Sequence, residues 1–259
     1  MEIAVAERRR AFVRVAGPDA EEYLQRMLSN DVASLEPGGS CEALLLTPRA
    51  RVIAPMRVLR RGPDDFLLLT EPELGETLRA ELVRMRFAAR AEIQAEEHTS
   101  TLVFGGEEEG IPNADYGQPA VEALDVALEP TLDDAALEAM RIAAGTPAWA
   151  KEIDDRVLPA EAGLVERAIS LEKGCYPGQE PVARLHHRGH ANRALRVLRI
   201  EGDELPEYDA ELHLGEKVVG RVTSAARDNG RIVALAYVRV EVPADAELRV
   251  GRSAARPLH

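Results

Sequence analysis

From Ala191 onward the chain becomes a succession of short strands, and that change of pattern limits the possible folds more than any other feature. Segments 195–200, 212–214, 217–223, 231–240 and 247–250 carry strand residues, and Gly202, Gly215, Asn229-Gly230 and Pro243 punctuate them. Short strands at this spacing predict a small antiparallel barrel. Upstream, strands and helices are mixed. The expected organisation is therefore α+β, with an α+β region over residues 1–190 and a β-barrel domain over 191–259.

Within the first region, 11–15 alternates as a strand and Gly17-Pro18-Asp19 ends it, with Asp19 suited to cap a helix. Ala20, Tyr23, Leu24, Met27 and Leu28 then fall on one helical stripe, and Asn30-Asp31 marks the exit. A strand is expected over 41–47, and a hairpin over 52–60 and 66–70 around Gly62-Pro63-Asp64. Leu74, Leu78, Leu82 and Met85 predict an amphipathic helix over 73–87. Strands follow at 91–96 and 101–104, and the glycine-flanked acidic run 105–110 reads as a solvated turn. Segment 131–144 is predicted to be a helix with Leu132, Ala136, Met140 and Ala143 on its inner face, stopped by Gly145 and Pro147.

The chemistry concentrates in Lys173-Gly174-Cys175-Tyr176-Pro177-Gly178-Gln179-Glu180, continuing to Arg184. Two glycines and a proline give this segment a specified shape. Held in it are a thiol, an ammonium, an amide, a carboxylate and a guanidinium. Lys173 and a helix starting after Pro177 would both favour the thiolate of Cys175, the form that binds metals or attacks electrophiles. Gln179 and Glu180 could orient it. No His/Asp set stands at the spacing of a cysteine hydrolase. An Fe–S cluster takes four ligands, so a single thiol would have to share one with another protein or a small thiol, or be joined by histidine. His186, His187 and His190 follow closely, but C-x10-H-H-x2-H matches no standard zinc site.

Several segments also resemble a known family. The run KGCYPGQEPVAR looks like the signature of YgfZ-type proteins, a branch of the superfamily that contains the glycine cleavage T-protein. Leu28-Ser29-Asn30-Asp31-Val32, Arg141-Ile142-Ala143-Ala144-Gly145-Thr146-Pro147, Pro159-Ala160-Glu161-Ala162-Gly163-Leu164 and Gly220-Arg221-Val222-Thr223-Ser224-Ala225-Ala226 are similar to further superfamily segments, in the same order. The resemblance implies two interleaved α+β subdomains plus a C-terminal antiparallel β-barrel around a central opening. It implies a cytoplasmic accessory protein for Fe–S assembly or maintenance, tRNA-modifying Fe–S enzymes included. A folate such as tetrahydrofolate is the implied ligand, and Fe–S assembly or client proteins the implied partners. Asn30, Arg141 and Trp149 are the expected folate-lining residues, and Cys175 the ligand of a transient shared cluster.

Two departures qualify that picture. Where the T-protein carries its paired aspartates this chain has Ala54 and Pro55, and neither can hold a proton for general acid–base work. Where some relatives have a glutamate after Arg-Ile this chain has Ala143. Aminomethyl transfer is therefore not expected. A tetrahydrofolate-dependent transferase or demethylase with a base elsewhere, and a scaffold without ligand, are the alternatives.

Composition limits the partners. The net charge is −13, which argues against direct, broad nucleic-acid binding. Pro181 to Ile200 nevertheless has five arginines (Arg184, Arg188, Arg193, Arg196, Arg199) and no acid, either an outward strand face or a local anion site. No apolar run approaches the ~20 residues of a membrane span. The N-terminal residues show no basic end before an apolar run, so a cytoplasmic chain with Cys41 and Cys175 reduced is expected.

Overall fold

The computed structural model describes residues 3–106, 108–189 and 191–258, with the backbone alone at Arg188. Strands β1 (Ala4–Glu7) and β2 (Ala11–Ala16) are separated by three arginines, yet they belong to different sheets. β1 pairs with β7 (Ser100–Phe104), which continues through β9 (Ala120–Leu124) to β8 (Ile111–Asn113). β2 lies inside a five-stranded antiparallel sheet with β3 (Ser40–Leu46), β4 (Val52–Gly62), β5 (Asp65–Thr70) and β6 (Glu92–Glu96), in the order β3-β4-β5-β2-β6. The chain thus begins in one unit, builds the second, and returns to finish the first. That is the interleaving the resemblance implied.

At β5 the five-stranded sheet is buried on both faces, which explains why this strand reads as an unbroken apolar run. Phe66 and Leu68 point with Val13, Val15 and Val58 into a core closed by helices α1 (Ala20–Met27) and α2 (Gly75–Met85). Leu67 and Leu69 point the other way, onto Phe12 and Ile111. A 3-10 turn, Pro72–Leu74, replaces the first turn of the longer helix that periodicity predicted. The Tyr23 hydroxyl donates to the Leu82 carbonyl at 2.6 Å and ties α1 to α2. Asp19 stands at the cap of α1 but does not cap it. Its carboxylate accepts from the backbone N–H and guanidinium of Arg90 instead.

Helix α3 (Asp134–Ala143) corrects a predicted face. Leu137, Ala139 and Ile142 are buried, whereas Leu132, Ala136, Met140 and Ala143 are half-buried. The helix serves two neighbours at once. Leu137 packs on the β1 sheet, and Ile142 on Val233 and Leu235 of the C-terminal unit. A single-stripe reading cannot find a helix wedged between two bodies.

After a one-turn helix, α4 (Val165–Ala168), and helix α5 (Gln179–Arg188), the chain enters the barrel. Six strands close it: β10 (Arg193–Ile200), β11 (Glu211–Leu214), β12 (Lys217–Asp228), β13 (Arg231–Arg239), β14 (Leu248–Val250) and β15 (Ser253–Pro257). β12 runs past its predicted end, through a bulge at Val222/Ser224, to the Asn229-Gly230 turn. Both turn residues have positive φ, the backbone a two-residue hairpin needs. Strands β1, β8, β9 and β15 were not anticipated; each is five residues or fewer and takes its identity from its partner strand.

Candidate functional site

The motif segment is held at three points. Lys173 is buried, and its ammonium donates to the carbonyls of Leu28 and Asn30, each at 2.7 Å. It also sits 5.5 Å from the centre of the Tyr176 ring. Tyr176 is buried among Leu44, Leu46, Ala50 and Ile169. Gly178, with φ +85°, caps α5, and a Cβ there would come 2.7 Å from the Thr47 carbonyl oxygen. Only glycine serves, because the backbone is left-handed and the turn after β3 touches it. Gln179 adds a bond from its amide to the Lys173 carbonyl at 3.3 Å.

Between these anchors Gly174 and Cys175 are exposed. Gly174 has an ordinary φ, and an added Cβ would meet nothing within 4 Å. The fold does not require glycine there. Cys175 is a free thiol at the surface. Glu180 and Arg184 are exposed on α5.

The predicted partnership of Lys173 with Cys175 is corrected. The ammonium points inward, where Asp31 and Cys41 are the ionisable groups that act on it. Burial lowers its pKa to about 8. Cys41 is half-buried and packs on the large core, as a small hydrophobe should, and burial pushes its thiol up to about 12. The Lys173 clamp joins the KGC segment to the Leu28–Val32 segment. Ser29 completes the joint by donating to the Ala168 carbonyl and accepting from the Leu44 N–H.

Asn30 and Arg141, expected to face a ligand, differ: Asn30 does not line the central pocket, whereas Arg141 does, beside Trp149, with its guanidinium bonded into the protein. The Asn30 amide donates to the Glu42 carbonyl at 2.7 Å. Every N–H of Arg141 has an acceptor: Glu138 twice, Glu152, the Thr146 carbonyl and the Ser224 hydroxyl. Glu152 is 1% exposed and also accepts from Ser224 at 2.6 Å and from the Ala148 N–H. Two resemblance segments therefore meet at an acid that neither contains. Nothing in the residues around Glu152 signalled this, because the contact is made across the barrel joint.

Trp149 borders a central pocket together with Arg141, Pro55, Tyr116 and Leu164. Its charged rim is Arg8, Arg10, Arg57 and Arg167 against Glu42, Glu71 and Asp115. The acids are neutralised in place. Glu42 and Asp115 each bind Arg57 and Arg167, and Glu71 binds Arg8 at 2.6 Å. The pocket holds about 80 Å³, and a neighbouring cavity of about 280 Å³ shares Arg8, Glu71, Tyr116, Arg141, Ala148 and Trp149 with it. Ala54 is fully buried in the core, Pro55 offers no proton, and Ala143 does not line the pocket.

Among the described residues, the arginines after Pro181 do not converge on one anion site. Arg193 pairs with Glu161 and lies over the Tyr237 ring, and Arg196 donates to the carbonyls of Val242 and Pro243. His186 and His187 are exposed and pack edge-to-face at 5.1 Å, whereas His190 and the Arg188 side chain lie outside the described residues. Among the described residues no three His, Cys, Asp or Glu side chains converge on a metal-sized site, and no helix is long and apolar enough to cross a membrane.

Architecture and site together define a T-protein-like α+β protein with a closed C-terminal barrel. Aminomethyltransferase T of the glycine cleavage system from Bartonella henselae superposes with a TM-score of 0.84 at 21% identity, covering 99% of this chain and 85% of that one. The tRNA-modifying protein YgfZ of Edwardsiella ictaluri is 30% identical over 286 residues, covering 92% of this chain and 85% of its own length. That of Enterobacter sp. strain 638 is 26% identical over 285 residues, covering 93% and 86%. An uncharacterized protein of Haemophilus influenzae is 24% identical over 252 residues, covering 92% and 90%. No protein-family model matches the chain. The chain belongs to the YgfZ family.

Proposed function

We propose that this protein is an accessory factor in the assembly or maintenance of Fe–S proteins, tRNA-modifying Fe–S enzymes among them, and that it acts through Cys175. The observation that carries the reading is the contrast within one loop. Lys173, Tyr176 and Gly178 are locked to the body of the protein, while Gly174 and Cys175 project into solvent. Rigid flanks hold a reachable sulfur, and the bare backbone of Gly174 leaves room for another molecule to approach.

Cys175 would bind iron of a cluster as its thiolate, giving up its proton on coordination. The cluster is cargo, and its remaining ligands belong to the donor or acceptor, since a cluster needs more than one thiol. The relatives' name, tRNA-modifying protein, fits clients of that kind. Folate has no step in this proposal. A folate-dependent transferase is disfavoured because Ala54 and Pro55 cannot act as bases and the pocket acids are ion-paired.

The test is complementation. In cells lacking this protein, Cys175→Ala should fail to restore an Fe–S-dependent tRNA thiolation, while the purified variant keeps the wild-type melting temperature. Full activity of the Ala variant would overturn the proposal.

A further inference from the structure

We propose that a cavity beside α5, separate from the central pocket, binds an amphipathic organic anion: a compact apolar or aromatic body bearing a carboxylate, sulfonate or phosphate. The cavity holds about 610 Å³, within the range of small-molecule sites. Its walls come from three separate segments: the turn after β3, the stretch leading into α4, and α5 itself. Ala50, Leu158, Val165, Val182 and Leu185 make them apolar.

Helix α5 is amphipathic but incompletely covered. Val182 is its one buried residue among the described side chains, and Leu185, a turn further on, stays half-buried at the edge of the cavity. Apolar surface left open in a concave site favours an apolar occupant.

The charge at the mouth selects the sign of that occupant. Arg49 arrives from the β3–β4 turn, Arg184 and His186 from α5, and no carboxylate stands among the described lining residues. On a chain of net charge −13 the surrounding field opposes anions, so a mouth with two guanidiniums and no acid reverses the local sign. Guanidinium forks match carboxylate and phosphate oxygens in pairs. The site does not depend on the Cys175 proposal, because neither its walls nor its rim includes the thiol.

The full-length protein would be titrated with 1-anilinonaphthalene-8-sulfonate, an apolar aromatic anion whose fluorescence rises on burial. One saturable site is expected, weakened at least tenfold by the exposed-residue double substitution Arg49→Glu/Arg184→Glu. The uncharged analogue N-phenyl-1-naphthylamine should bind the wild type and the double variant alike. Val165→Trp, which fills the cavity, should remove both. Absence of a saturable site, or equal affinity of the anion for wild type and the double variant, overturns the proposal.

Discussion

The ammonium of Lys173 lies 2.7 Å from the carbonyl oxygen of Asn30 and as close to that of Leu28, so the Leu28–Val32 and KGC segments are joined through one side chain. The ammonium binds backbone carbonyls rather than the Cys175 thiol, and the consequence is mechanical: the base of the Cys175 loop is fastened to the exit of α1.

Replacing Lys173 by Met removes that fastening. The Leu28 and Asn30 carbonyls lose a shared donor, and an unsatisfied buried group costs about 1–3 kcal/mol. Chemical denaturation should show a loss of that size, with Cys175→Ala unchanged. The pH dependence supplies a second readout. The folded pKa of about 8 lies below the ordinary lysine value, so between the two the unfolded chain holds more protons and stability rises with pH. Lys173→Met should abolish that rise.

The two glycines of the motif should behave oppositely. Gly178→Ala puts a Cβ 2.7 Å from the Thr47 carbonyl at a left-handed backbone position, and the conformation alone costs about 1–2 kcal/mol. Gly174→Ala should leave the melting temperature unchanged, a surface change within about 0.5 kcal/mol. On the accessory-factor proposal it should still reduce complementation, because the added methyl takes up space that a partner needs next to Cys175.

Arg141 and Glu152 form a buried pair that bridges α3 and the barrel. Arg141→Met leaves Glu152 charged and without its guanidinium, at a cost of about 3–5 kcal/mol. Calorimetry should show the loss. A glutamate tail of a folate could not use Arg141 without breaking this joint.

His98 sits between Glu96 at 3.0 Å and Asp125 at 2.7 Å, linking the two sheets. Burial works to lower its pKa, but hydrogen bonds to the two carboxylates outweigh it and the net shift is upward. A raised folded pKa stabilises most below the unfolded value of about 6.5 and loses that contribution as pH rises through the folded value. Melting curves from pH 6 to 9 should fall in that window, and His98→Gln should flatten the fall.

Tetrahydrofolate titrated against the fluorescence of Trp149, the sole tryptophan, should give no saturable change. The charged rim of the pocket it borders is internally paired, leaving no free acid or base to meet the ligand's polar edge. Saturable quenching would mean that the rim opens for a ligand.

Local pattern was enough to reveal the α+β-then-barrel order, the α1 and α2 stripes, the β4–β5 hairpin and the helix after Pro177, since each rests on periodicity or turn chemistry within a few residues. The motif around Cys175 was equally plain, because glycine, proline and thiol together are rare. Side-chain direction was not legible. Whether Lys173 turned to Cys175 or to Asn30, whether Arg141 faced a ligand or Glu152, and whether Arg184 joined Arg193 or Arg49 depended on neighbours more than a hundred residues away in most cases. Residue types specify what a group can bond to, and backbone periodicity specifies which face it leaves by. Only the packing of distant segments decides which partner is there to meet it.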